Sequence, residues 1–270
     1  MKILKAAVFF FAAFVFYSCS SDVTYRKENL AADLINLLKK EYGIDSKVFL
    51  FPNTVYLDID LGTDAPQKDT DAAESFKKIN GALTAAIRTV ISGDSEIKFA
   101  VVNAYPQDKS VLFRIIQNID DFKSYYYMRI SIDDFSSRNI IEIKSPSEAA
   151  AATLDKRDIR LEEFVGRLIV SSVMSSAGRN PFLAALLSNL KLDFESVKDG
   201  VLILRTNADL ISESRNALSL QLQKETELCL KKYSGAKIER VIVFGTLKNK
   251  NVRLIDFKAG ISAENKKVKL

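Results

Sequence analysis

The residues of this chain that could do chemistry are few, and most of them are carboxylates. Asp58 and Asp60 stand two apart in the run Val55-Tyr56-Leu57-Asp58-Ile59-Asp60-Leu61. Alternate positions of a strand share one face, so the pair could hold a hard cation through oxygen or act as acid and base. Asp64, Asp69 and Asp71 follow and make an acidic corner. Their spacing lacks the register of a calcium loop, and no metal is expected here. A solvent-facing strand running into a helix start that favours acidic residues accounts for the whole group. Ser75 and Lys78 match the Ser-x-x-Lys pattern in which lysine activates a serine nucleophile, but its companion elements are not found in suitable context.

Tyr125, Tyr126, Tyr127, Met128 and Arg129 form the most concentrated aromatic and cationic stretch. The alternation that follows predicts a strand over 124–132, with Tyr125, Tyr127 and Arg129 on one face and Tyr126 and Met128 in the core. Tyrosine and arginine together suit partner contacts, so Tyr125, Tyr127 and Arg129 are the candidate binding residues. Cys229 lies between Leu228 and Leu230 in a helical stretch and reads as a buried thiol. The chain has no histidine, which excludes Ser-His-Asp and Cys-His catalysis and His-ligated metals. Glycine is sparse and forms no phosphate-binding loop, and no cofactor is expected.

The first 22 residues carry an address. Lys2 and Lys5 precede an uncharged apolar run, Ala6 to Tyr17, and Ser18 stands before Cys19. That run is shorter than the roughly 20 residues a membrane-crossing helix needs. A charged start, a short apolar run and a small residue have the layout of a secretory leader. With Ser18-Cys19 the segment resembles a bacterial lipoprotein leader, although Phe16 and Tyr17 depart from the usual lipobox. The resemblance implies cleavage before Cys19, lipid on the Cys19 sulfur and attachment to a membrane of the bacterial envelope. An ordinary secretory leader cut nearby and an uncleaved anchor share the same layout. If Cys19 carries lipid, Cys229 has no intramolecular partner.

Removing the leader lowers the net charge from +5 to +3. The remaining Lys and Arg are interleaved with Asp and Glu, so nucleic acid is not an expected partner. Apolar residues make up 47% of the chain, enough for a well-packed body.

The body reads as α+β. A helix to Tyr42 closes at Gly43, and strands at 47–51 and 54–61 follow, the second alternating like a half-buried strand. A helix at 71–92 carries Phe76, Ile79, Leu83, Ile87 and Val90 at helical spacing. A hairpin at 97–104 and 110–117 comes next, then the 124–132 strand and a short one at 139–143. After Ser145-Pro146 come helices at 147–175 and 182–190, the latter closing a helix hairpin that offers a second partner surface. Strands at 190–197 and 201–206 turn at Asp199-Gly200. A helix at 211–233 and strands at 237–244 and 251–257 complete the body.

Residues 29–117 and 162–257 therefore repeat the order α-β-β-α-β-β. The expected organisation is a leader at 1–18, α+β halves at 19–145 and 146–258, and a polar tail at 259–270. Each half is expected to be an antiparallel sheet covered by helices. The functional expectation is a lipid-anchored envelope protein that binds or assembles rather than catalyses, meeting the membrane through Cys19 and an envelope protein as partner. The rivals are a carboxylate hydrolase of an envelope polymer using Asp58 or Asp60 and a carrier of an apolar ligand.

Overall fold

The computed structural model describes residues 25–62, 69–108, 111–148, 156–179, 190–207, 212–247 and 250–260. The first helix among the described residues is α1 (Leu30–Tyr42), whose Leu30, Leu34 and Leu38 are fully buried. Gly43, at φ +63°, ends it in the left-handed conformation. Strands β1 (Ser46–Leu50) and β2 (Thr54–Asp60) lead to helix α2 (Asp69–Ile91) and strands β3 (Phe99–Tyr105) and β4 (Leu112–Asn118). Two short helices, α3 (Ile119–Tyr126) and α4 (Ile132–Ser136), precede strand β5 (Ile140–Lys144). The second set is α5 (Leu161–Arg179), β6 (Leu192–Lys198), β7 (Val201–Thr206), α6 (Ser212–Lys232), β8 (Arg240–Leu247) and β9 (Lys250–Lys258).

The fold is α+β, as its alternating helices and hairpins imply. The sheets, however, are mixed rather than antiparallel. Strands run β1-β2-β3-β4-β5 in the first sheet and β6-β7-β8-β9 in the second. In both, two antiparallel hairpins meet along a parallel pair, β2 with β3 and β7 with β8. The cause is the long helix between them. It carries the chain back along the sheet, so the next strand starts at the same end as the last. The repeated order of elements is thus matched by repeated pairing.

The strand expected at 124–132 is absent. Residues 119–126 are helical, 127–130 are a turn, and α4 follows. Asn118 caps α3 by accepting from the backbone N–H groups of Asp120 and Asp121, and Ser131 caps α4 by accepting from Asp134. These caps satisfy helix-start N–H groups and favour helix over the strand suggested by aromatic content. The face expected for α2 is buried at Ile79, Leu83, Ile87 and Val90, but Phe76 is half-exposed and Ser75 takes the buried position beside it. The segment expected as a helix at 182–190 lies, up to residue 189, outside the described residues.

One face of the first sheet packs Val55, Leu57, Ile59, Ala100 and Val102 against α1 and α2. Its other face is not solvent, as the alternation in β2 suggested. Tyr56, Val101, Ile116 and Ile140 join a core with Phe164, Val165 and Leu168 of α5 and with Leu202, Leu204, Val241 and Val243 of the second sheet. The layers are helices, sheet, helices, sheet. The outer face of the second sheet carries cross-strand pairs, Arg205 with Glu195 and Arg240 with Asp256. Gly166 allows α5 to lie close on that sheet: a Cβ there would come within 2.7 Å of Phe194 and 2.8 Å of Leu202.

Candidate functional site

Three polar or aromatic constellations stand out, and the first engages Asp58 in an ion-paired network. Asp58 is bonded by Lys156 Nζ at 2.8 Å and by Asn103 Nδ2 at 2.9 Å, and Asn103 accepts from Arg114 Nε at 2.8 Å. Nearby, Asp158 accepts from the Asn53 N–H at 2.8 Å and the Thr54 hydroxyl at 3.1 Å. The Tyr56 hydroxyl donates to the Arg157 carbonyl. Arg167 joins Glu142 and Glu163, so β5 and α5 are held by charge as well as packing. Asp60, by contrast, is exposed at the strand end and accepts from Gly62 N–H. Asp58 thus holds residue 156, which precedes α5, onto the first sheet, while Asp60 is engaged by the turn at Gly62. The side chains of Asp64, Asp69 and Asp71 lie outside the described residues.

The second constellation is a cleft of about 660 Å³ between α4, α5 and α6. Ser172, Ser176, Glu225, Cys229 and Lys232 are among its walls. Burial pushes the Cys229 thiol up to about 12, with Glu225 adding to the rise. The thiol is therefore almost wholly protonated at neutral pH, as a buried structural cysteine should be. Ser75 is buried, and Lys78 donates to the Leu61 carbonyl and lies near Glu74, so the Ser-x-x-Lys match holds no activated nucleophile.

The third constellation is the cap made by α3, the 127–130 turn and α4. Inside it, Tyr125 stacks on Phe135 with ring centroids 4.6 Å apart, and Phe122 meets Phe135 edge-on. Outside it, Tyr126 is 70%, Tyr127 61%, Met128 91% and Ile132 54% exposed. The Arg129 guanidinium lies 5.6 Å from the Tyr127 ring centre, a cation–π distance. The structure therefore keeps Tyr127 and Arg129 together but turns Tyr125 inward. It also sends Tyr126 and Met128, expected in the core, out to solvent.

The turn has a defined geometry. Arg129 N–H donates to the Ser124 carbonyl at 2.8 Å and Met128 N–H to the Tyr125 carbonyl at 2.9 Å. This is the paired closure of a Schellman motif, whose left-handed residue is ordinarily glycine. Here that residue is Met128, at φ +55°. The cap is fastened from below. Arg138 bonds Asp121 and Asp134, each at 2.6 Å, while Lys232 bonds Asp134 and the Tyr233 hydroxyl donates to Asp121. The Arg138 and Lys232 charges beside Asp134 hold its carboxyl down at about 2.

Met128, Tyr126 and Ile132 are the exposed residues that the strand reading missed. The signal for them was the repeated Ile-Asp-Asp, at 119–121 and 132–134, each behind a capping residue. No group of three or more potential metal-ligating side chains occurs among the described residues, and none of their helices is long and apolar enough to cross a membrane. No protein-family model matches the chain, and no curated protein or solved structure matches it either.

Proposed function

We propose that this chain is a lipid-anchored, non-enzymatic module of the bacterial cell envelope that works by surface contact. The α3–α4 cap is its contact face. The observation that carries the reading is a run of exposed apolar side chains close in sequence, Tyr126, Tyr127, Met128 and Ile132, on and beside a turn that charge and capping hold in place. Exposed apolar residues grouped in this way mark contact sites, whereas scattered ones need no explanation. The lipoprotein-like leader supports the anchor, with lipid on Cys19. The engagement of Asp58 by Lys156 and Asn103 favours this reading over a carboxylate hydrolase that uses Asp58 as a free acid or base.

The test has two parts. Mass spectrometry of the mature N-terminus should find acylated Cys19. A photoreactive phenylalanine analogue at position 127 should form adducts in intact envelopes, and the double change Met128→Ser with Ile132→Ser should abolish them. An unacylated terminus elsewhere sinks the anchor, and an adduct-free position 127 sinks the contact face.

A further inference from the structure

We infer that the α3–α4 cap meets the lipid bilayer itself, seating Tyr126, Tyr127, Met128 and Ile132 at the boundary between headgroups and acyl chains. This rests on the proposed lipid at Cys19. Five residues lie between Cys19 and Tyr25, a reach of at most about 22 Å. Tyr25 is fixed to the body by a bridge to Gly93, just past the end of α2, and the Lys27 N–H donates to Asp94 at 2.7 Å. Five residues beyond Gly93, Lys98 accepts from the backbone N–H of Ile119, the first residue of α3. Phe99 pairs with Asn118 across the same end of the first sheet. The tether and the cap therefore leave the sheet at one end, and α3 extends only about 12 Å from there.

The chemistry of the cap suits an interface between water and hydrocarbon. Tyrosine presents an apolar ring and a hydroxyl that stays wet, which is why it gathers at membrane surfaces. The Arg129 guanidinium lies over the Tyr127 ring, where its charge can reach headgroup phosphates. Two of the cap's four carboxylates, Asp121 and Asp134, are neutralised by Arg138. Asp120 lies 3.4 Å from Lys123, and Asp133 lines the serine cleft. The exposed residues stand on a turn between helices rather than in a groove, a shape that enters a surface and holds no small ligand. Insertion of so few side chains is weak alone, and the tether makes it effective by keeping the cap near the membrane at high local concentration.

The chain contains no tryptophan, so one introduced indole reports without background. The full acylated protein carrying Met128→Trp, and separately Ile132→Trp, is reconstituted in vesicles of phosphatidylethanolamine and phosphatidylglycerol with brominated acyl chains. Leu220→Trp is the control: Leu220 is 68% exposed on α6, about 18 Å along that helix from Lys232. The expected result is blue-shifted emission and strong bromine quenching at positions 128 and 132, with neither at 220. If acylated protein floats with the vesicles while the indoles at positions 128 and 132 stay in water, the cap inference is overturned and the anchor stands. If the indole at position 128 is shielded only in native envelopes, its partner is a protein and the inference is again overturned. If Cys19 is found unacylated, the tether argument and the anchor fall together.

Discussion

The Tyr233 hydroxyl donates to the Asp121 carboxylate at 2.5 Å, joining the end of α6 to the first turn of α3 across 112 residues of sequence. Desolvation raises the Tyr233 phenol above its ordinary value, and the neighbouring Asp121 charge adds to that. The tyrosine is thus a permanent donor. Tyr233→Phe should cost about 1–2 kcal/mol, the loss of one bond to a charged acceptor. Arg138→Ala should cost more, about 3 kcal/mol, because it strands a buried Asp121 without its cation. Urea denaturation of the two variants would fail this account if Tyr233→Phe proved the more damaging.

Asp134 gives the cap an acid sensitivity. Its carboxyl is depressed to about 2 in the folded protein, chiefly by the Arg138 hydrogen bond and then by Lys232, against about 3.9 in an unfolded chain. Above pH ~4 it is ionised in both states and its stabilisation is fully present. As pH falls towards 2 the unfolded state takes up the proton first and the stabilisation is lost. The melting-temperature gap between the native chain and Asp134→Asn should therefore be constant at neutral pH and close below pH 4. A gap that persists unchanged at pH 2 would contradict the assignment.

Met128 occupies a backbone conformation that costs a side-chain-bearing residue about 1 kcal/mol or more. Met128→Gly should relieve that strain, offset in part by the greater freedom of glycine in the unfolded chain. The net effect should be a stable or slightly stabilised protein that has lost its most exposed apolar group. Chemical denaturation showing a loss above about 1 kcal/mol would mean that Met128 is a packing residue.

Gly166 tests the layering. Adding a methyl group there drives it into Phe194 and Leu202, so Gly166→Ala should destabilise by about 1–3 kcal/mol despite alanine's better helix propensity. If thermal unfolding showed stabilisation, α5 would not lie as close on the second sheet as described.

Cys229 should resist thiol reagents in the folded protein at pH 8, since burial raises its thiol to about 12. It should react at once in denaturant. Fast labelling of the native chain would require an opening of the α5–α6 cleft.

Much of this architecture was legible because single residues mark boundaries. Gly43 ends α1, and Asp199-Gly200 makes the β6–β7 turn with both residues at positive φ. Leu218, Leu222 and Cys229 face the core as their spacing requires. What failed did so for physical reasons. Ser75 is small enough to be buried in place of Phe76, so the predicted face of α2 departs at its first residue while Ile79, Leu83, Ile87 and Val90 hold it. The Tyr-rich segment has strand composition, but the caps at Asn118 and Ser131 decided in favour of helices. Asp58 and Asp60 alternate like a half-buried strand, and only the packing of distant segments onto β2 revealed that Asp58 is part of a seam. Candidate site residues suffered most, because exposure depends on where the turn points and not on which residues it contains.

The bridge between Tyr25 and Gly93 has a mechanical consequence. A Cβ at position 93 would come within 2.9 Å of the Tyr25 carbonyl, so the contact depends on a residue that has no side chain. A pulling force arriving from the residues before Tyr25 meets this bridge, the packing of the Tyr25 side chain on the core beneath α1 and α2, and the Lys27–Asp94 bond before it reaches Leu30, which is fully buried. These outer contacts yield before α1 does, releasing slack of about 3.3–3.6 Å for each residue freed. The attachment behaves as a fuse with a short length of spare line.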